Sequence, residues 1–427
     1  MPEAFSVAAK VLLFRVFRIN NRIGKGVLMK QKSRYPISYH LGYRAGQARG
    51  FTEGREAGYQ RALRDVRATG REVQSSEHSN IDKSTILSET KKTVRVLIIS
   101  AIRLPSYQIG IRQPLSLLES QGHCTFEVKS KHEVTEQHVA DADIVIVQRS
   151  VEPRVYKYFE LARILGKRTV YVIDDYYEAL PQTNSIGKYY AHPDRQKAFA
   201  DFLKNADIVK VDAPYFGKLL VEKYNSNVIY FPASVDFAWI EQVEKKPKND
   251  SVIVIGYEGA NKEQDFVAVV PALLKILNEY GKFIKLEFYG FVPESLSQHP
   301  SVSYNNPEAD YRTFIRKLYQ SNWDIGLAPL DDTPFNHCKT NNKFREYAAC
   351  GIPGIYSSSP AYTDWVVHRE NGIIVPHTEE GWYEGMKQLI EDRLLRARIK
   401  ERAAEVARKH FTINACAEQW KEQILHI

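Results

Sequence analysis

Lys339, Thr340, Asn341, Asn342, Lys343 and Glu346 fall within eight positions of one another in the segment DIGLAPLDDTPFNHCKTNNKFREYAACGIPGIYSS, residues 324–358. The segment reads as a buried strand (324–330), a polar loop, a helix start, a tight Gly-Ile-Pro turn and a second strand. A helix N-terminus presents free N–H groups and a partial positive charge, which suits a diphosphate. Lys339 and Lys343 beside it add countercharge. Glu346, one turn into the helix, can accept two hydrogen bonds from the vicinal hydroxyls of a ribose. Taken without their surroundings, Glu346 and Lys343 would equally form a solvated i,i+3 ion pair worth about 0.2–0.5 kcal/mol.

Other chemistry-bearing residues stand at predicted strand ends. The loop PSYQIGIRQ (105–113) carries Gly110 and Arg112, Gln148 and Arg149 end the run DIVIV, and Asp174 and Asp175 end TVYVI. An acidic pair in such a place orients hydroxyls or positions a base. It equally caps a turn, a place Asp favours. His192 in YYAHPD either reaches this region or packs, and packing is the simpler reading. His337 and Cys338 precede the lysine-rich loop. Asp331 and Asp332 are adjacent rather than spaced as metal ligands, so no metal site is expected.

The elements that must hold these residues follow from periodicity. From residue 93, short β-branched runs alternate with helical patterns: VRVLIIS, FEV, DIVIV, TVYVI, DIVKV and VIYF, with helices through 122, 165, 194–205 and 214–223. Strands buried on both faces and joined by helices imply a parallel sheet, here over 93–238. The charged stretch EQVEKKPKND (241–250) reads as a connector with a hinge near 239–250. The rhythm then restarts over 251–411 with SVIVIG, IKLEFYG, DIGLAPL, PGIYSS and GIIV, and closes on an amphipathic helix at 412–425 expected to pack back toward the first domain. The expected architecture is therefore α/β, with two Rossmann-like domains and a cleft between the carboxyl ends of their strands.

Composition bounds the rest. The chain has 427 residues, of which 44% are hydrophobic. Its four cysteines fit neither a zinc site nor a disulfide framework, so a reducing, cytoplasmic setting is expected. No apolar run of about 18 residues is present. Of the formal charge of +8, residues 1–92 carry 18 Lys/Arg against 8 Asp/Glu, while the remainder is close to neutral. No nucleic-acid footprint is therefore written across the body. The extension has glycine at 42, 46, 50, 54 and 58. On a helix this is a stripe that lets a partner helix approach, but each interior Gly costs about 1 kcal/mol of helix propensity, so a flexible tether stands beside it as a reading. Residues 72–92 read as a polar linker. The basic, apolar stretch around Val11, Leu12, Phe14 and Phe17 is expected either to meet anionic lipid at the inner membrane face or to be a simple basic tail.

The pattern Lys-x-x-x-Lys-x-x-Glu-Tyr-x-Ala-x-Gly-x-Pro resembles the donor-site motif of retaining GT-B glycosyltransferases, the large group 1 (GT4-like) family. The resemblance covers about residues 93–427 and is sharpest over 251–376. FPASVD (231–236), VIGYEGANKEQDF (254–266), LEFYG (286–290), NGIIVP (371–376) and LESQGHCTFEV (118–128) are similar to family segments in the same order. The resemblance implies a GT-B fold and transfer of a sugar from a nucleotide diphosphate donor, with retention and without a cofactor or metal. The acceptor would be a glycan, a lipid-linked molecule or a protein, in polysaccharide or glycoconjugate synthesis.

Carried over by position, Glu346 would bind the ribose. Lys262, Lys339, Thr340, Asn341 and Lys343 would line the diphosphate and sugar. Gly256 and Gly290 would allow close approach, and Gly110, Arg112 and Arg149 would face the acceptor. Asp174, Asp175, Arg149 and His337 are the catalytic candidates. Two positions depart from the family: Cys338 stands where a Glu near the transferred sugar is common, and Tyr257 where Arg is common. The readings that compete are a degenerate GT-B scaffold, a nucleotide-sugar epimerase and a DNA glucosyltransferase, the last disfavoured by the neutral cleft.

Overall fold

The computed structural model describes residues 93–427 apart from 103, 184, 249, 250, 261 and 427. The basic extension of 1–92, with its glycine repeat, its linker and the expected lipid- or helix-binding surface of residues 1–70, lies outside the described residues.

Six parallel strands form the first sheet: β1 (Val94–Ile99), β2 (Cys124–Lys129), β3 (Ile144–Gln148), β4 (Arg168–Ile173), β5 (Ile208–Val211) and β6 (Val228–Tyr230), in the order β2-β1-β3-β4-β5-β6. β3 and β5 are buried along their whole length. Such strands need helices on both faces, and their β-branched runs supply the apolar surface those helices cover. The second sheet holds β7 (Ile253–Glu258), β8 (Ile284–Tyr289), β9 (Val302–Asn305), β10 (Ile325–Ala328), β11 (Gly354–Ser357) and β12 (Ile373–Val375), in the order β12-β11-β10-β7-β8-β9. Each sheet changes winding direction once. The change falls between β1 and β3 in the first sheet and between β7 and β10 in the second, the crevices where open α/β sheets receive ligands.

Among the described residues the helices of eight or more residues are, in chain order, α1 (Gln113–Ser120), α2 (Pro153–Ile164), α3 (Pro193–Asn205), α4 (Pro214–Lys223), α5 (Val269–Tyr280), α6 (Tyr311–Ser321), α7 (Asn342–Cys350), α8 (Glu379–Glu391), α9 (Arg393–His410) and α10 (Ile413–Trp420). Among the described residues none is long and apolar enough to cross a membrane. The chain returns to the first sheet at its end. Cys416, Trp420 and Ile424 share an apolar cluster with Val96, Ile98, Ile144 and Ile146. The indole N–H of Trp420 donates to the carbonyl of Gly110 over 2.8 Å.

Three local readings need correction. Residues 105–113 are helical rather than a loop: Pro105–Tyr107 leads into a π-helical turn, Gln108–Arg112, that continues as α1. Pro105 supplies the fixed φ of a first helical position, a start signal that the glycine at 110 obscured. β9 has no counterpart in the sequence reading. It is an edge strand whose burial runs from half-buried to exposed, so its alternation is weak. The short helix Glu136–Asp141 was also not expected, although Thr135 caps it and accepts from the amide of His138.

Candidate functional site

Helix α7 is placed by its ends. Asn341 precedes it, and Gly351 ends it in the left-handed conformation (φ 65°) that an L side chain rarely adopts. Arg345, Glu346 and Tyr347 are buried. Tyr347 donates to the carbonyl of Leu327 in β10 over 2.8 Å, which fixes the rotation of the helix. Glu346 consequently faces a cavity of about 540 Å³ at the carboxyl ends of β7, β8 and β9. Its carboxylate accepts from the Tyr311 hydroxyl at 3.1 Å. Burial, reinforced by the nearby charge of Glu258, pushes its pKa up to about 7, with Lys343 and Arg345 opposing.

The cavity wall is built for close backbone approach. Gly290 lines it at φ 82°, where a Cβ would fall 2.6 Å from the carbonyl oxygen of Gly259. Any other residue there would carry both strain and a backbone collision. Gly256 plays a different part. A Cβ there would lie 1.9 Å from the Trp323 ring, so this glycine seats the indole inside the sheet and does not reach the cavity. Asn342, Lys343 and Glu346 line the cavity on the α7 side, and Pro105 closes part of it from the first domain.

Each of the three candidate lysines is paired with a carboxylate. Lys343 pairs with Glu258 at the end of β7, Lys262 with Asp265, and Lys339 with Asp175 of the first domain at 2.6 Å. Lys262 is held below its usual range by burial, and the charges of Lys339 and Lys343 act in the same direction. The ammonium groups of Lys339 and Lys343 therefore lie close enough to act on that of Lys262, an arrangement suited to a multiply charged anion. Asp265 is buried. It also accepts from the amide of Asp331 (2.9 Å) and the side chain of Asn336 (2.8 Å), which ties the loop before α7 to the loop after β7. Asn341 is 2% exposed, and neither polar atom of its side chain has a partner among the described residues. Thr340 is half-buried beside it.

Across the cleft, Arg149 sits at the end of β3 in the left-handed region (φ 54°), uncommon for a non-glycine residue and characteristic of functional sites. Its guanidinium donates to Asp174 (2.8 Å), Asp175 (2.8 Å) and the Tyr177 hydroxyl (3.1 Å). The two carboxyls are driven apart. Burial raises Asp174, with Arg149 opposing. For Asp175 burial acts in the same sense, but Lys339 and Arg149 outweigh it and the carboxyl is lowered.

His337 contacts Asp332 (2.6 Å), and its ring lies edge-on to Tyr215 of the first domain with centroids 5.7 Å apart. Cys338 joins the apolar cluster of the first domain that contains Tyr176, Tyr177, Ala213 and Phe216, and burial pushes its thiol up to about 12. It thus serves packing between the domains in this arrangement. Arg112 is exposed and donates to Gln108 (3.0 Å), and Gly110 is buried in the π-helical turn, so neither lines the cavity. His192 caps α3 by accepting from the amide of Asp194.

Glu258, Asp265 and Tyr311 were missed in the sequence. An acid followed by glycine at a strand end marks Glu258, and the i,i+3 spacing to Lys262 marks Asp265. Tyr311 reaches Glu346 only through tertiary packing.

No protein-family model matches the chain, and no curated protein matches it in sequence. Solved structures do resemble it. A glycosyltransferase from Rickettsia africae superposes with a TM-score of 0.58 at 15% identity, over 78% of this chain and 99% of that one. HepE from Anabaena, in complex with UDP and glucose, gives 0.57 at 14% identity, over 78% and 100%. Sucrose-phosphate synthase from Thermosynechococcus elongatus gives 0.55 at 14% identity, over 77% and 98%. At these identities the likeness establishes the fold: the two Rossmann-like domains that the strand pattern implied, in the GT-B arrangement that the motif resemblance implied.

Proposed function

We propose that this chain is a glycosyltransferase that takes a sugar from a nucleoside diphosphate bound at the β7–β9 cavity and passes it to a hydroxyl acceptor held by the first domain. The observation that carries the reading is that Glu346, Asn342 and Lys343 of the first turns of α7 line one cavity, with Lys262 near enough to feel the charges of Lys343 and Lys339. Glu346 would accept from the ribose hydroxyls, and Gly290 would let the nucleoside lie against the backbone. The solved complexes of HepE with UDP and with UDP-glucose support the donor class.

In the reaction, the bond from the anomeric carbon to the β-phosphate oxygen breaks and its electron pair stays on that oxygen. An acceptor oxygen bonds to the anomeric carbon, and its proton passes to the leaving diphosphate oxygen. Charge grows on the leaving diphosphate, where Lys262, Lys339, Lys343 and the N–H groups of α7 would stabilise it without a divalent cation. Asp174, Asp175 and Arg149 would orient the acceptor. The resemblance of the motif to the group 1 (GT4-like) family favours retention, and a role in polysaccharide or glycoconjugate synthesis on the cytoplasmic face. Residues 1–70 would there meet anionic lipid or a helical partner.

Product analysis tests this reading. Incubation of the full chain with nucleotide sugars and mixed acceptors should yield a new glycoside and free nucleoside diphosphate, and the anomeric proton coupling would report retention. Free epimerised sugar without acceptor, or no turnover with nucleotide binding intact, would contradict it. The second outcome would favour the scaffold reading, to which the burial of Cys338 at a customary carboxylate position lends support.

A further inference from the structure

A second cavity, of about 440 Å³, opens at the carboxyl ends of β1 and β3, the winding change of the first sheet. Its floor is apolar, formed by Ile99, Leu104, Val151 and Val155. Two neutral polar side chains stand in that floor. Ser100 and Gln148 are buried, with the Ser100 hydroxyl donating to the Gln148 side-chain oxygen at 2.7 Å. The serine oxygen can still accept, and the amide has a further N–H to donate. Tyr189 and Tyr190 form one wall, Tyr190 stacked on Tyr177 with centroids 3.9 Å apart and Tyr189 38% exposed.

Every lysine, arginine and carboxylate lining this cavity is already paired. Arg149 is held by Asp174 and Asp175, and Lys131 by Glu152 at 3.1 Å, while Glu152 also accepts from Tyr189. A phosphate or carboxylate reaching Arg149 would have to strip it from two part-buried carboxylates, which is strongly unfavourable, and one reaching Lys131 would meet Glu152 beside it; His132, the remaining basic residue of the lining, is exposed. A polyhydroxylated ring without charge meets no such penalty. Its C–H face matches the electron-rich tyrosine rings, and its hydroxyls match the serine–glutamine pair.

Arg149 also gives the cavity a direction. It forms the inner wall, it holds Asp175, and Asp175 touches Lys339 of the donor side. A ligand hydroxyl pointing at that wall would point toward the donor cleft. We infer that this cavity is the acceptor pocket and that it selects uncharged saccharide ends over phosphorylated or acidic ones. The inference rests on the transferase reading above and adds the acceptor's chemical class.

Saturation-transfer NMR on the full chain tests it, with neutral methyl glycosides and disaccharides set against glucuronate and glucose 6-phosphate. UDP thermal shifts on the same samples report the donor site and the fold. At least one neutral saccharide should give transfer, the anionic probes none, and the signal should fall at least tenfold in Tyr189→Ala and in Gln148→Leu while the UDP shift persists. Equal transfer from the anionic probes, unchanged signals in both variants, or no neutral ligand despite an intact UDP shift would overturn the assignment. Variant-sensitive saccharide binding without any UDP shift would leave the pocket standing and sink the donor reading instead.

Discussion

Lys339 of the second domain and Asp175 of the first meet across the cleft, with Nζ 2.6 Å from Oδ1. Asp175 is shared with Arg149, so one carboxylate joins the end of β4, the end of β3 and the loop before α7. On the proposed donor assignment, a diphosphate arriving at α7 would compete with that carboxylate for Lys339. The closed contact and the charged site are thereby coupled.

Removing one partner of this pair exposes the coupling. Lys339→Met leaves the part-buried Asp175 with Arg149 alone and should cost about 1–2 kcal/mol by denaturant titration, and Asp175→Asn a similar amount. The double variant should cost less than the sum, because the residues touch. Hydrogen exchange should quicken across residues 331–341 in all three. Additive costs with unchanged exchange would mean that the contact does not link the domains.

Cys338 makes the same loop testable without touching a charge. Its side chain lies in the first-domain cluster with Tyr177 and Phe216. Cys338→Glu would bury a carboxylate among aromatic and aliphatic side chains and should destabilise the chain by roughly 2–4 kcal/mol. In the native protein the thiol should react with a disulfide reagent only as fast as the domains separate, since burial pushes it up to about 12. Rapid labelling of folded protein would contradict the placement.

Glu346 predicts a pH dependence with a definite sign. Its pKa in the folded chain is pushed up to about 7 by burial and by Glu258, against an ordinary value of 4.5. Between those limits the folded state binds more protons than the unfolded one. Stability from this group is therefore full below about pH 4.5 and falls as pH rises through about 7. Glu346→Gln should remove that slope and stabilise the unliganded protein at pH 8 by about 1–3 kcal/mol. Nucleotide affinity should follow the opposite course, because ribose hydroxyls need the ionised carboxylate, and should weaken below pH 7. Parallel stability curves for the two proteins would refute the assignment.

The two glycines separate wall from core. Gly290→Ala meets the Gly259 carbonyl at a left-handed φ, and should weaken nucleotide binding at least tenfold at a cost of about 1–2 kcal/mol. Gly256→Ala must displace Trp323 and should cost more than about 2 kcal/mol in stability. If the effects were reversed, the roles of the two positions would be exchanged.

Much of this arrangement was legible in the sequence because it is local. β-branched runs, Pro at helix starts and Gly after α7 place most strands and helices within one or two positions, although the helix read from about 263 begins only at Val269. The lysines and Glu346 could be read because a helix N-terminus, two cations and an acid one turn later form a short-range pattern. What escaped was long-range. Tyr311 lies 35 positions from the carboxylate it contacts. Cys338 was read by position near the transferred sugar, yet its surroundings come from residues 97–220. Gly256 carried the composition of a binding glycine, but only the fold shows Trp323 lying over it. Gly110 suggested a loop, whereas the buried indole of Trp420 and a π-helical turn decide its conformation.

The most direct test of the donor assignment is a set of thermal shifts with UDP, GDP, dTDP and CMP on the full chain and on Glu346→Ala. A ligand at 100 times its dissociation constant stabilises by about 2.7 kcal/mol, well within detection. The account predicts a shift with at least one nucleoside diphosphate and its loss, by tenfold or more in affinity, in the variant. No shift with any of the four, or an equal shift in the variant, would contradict it.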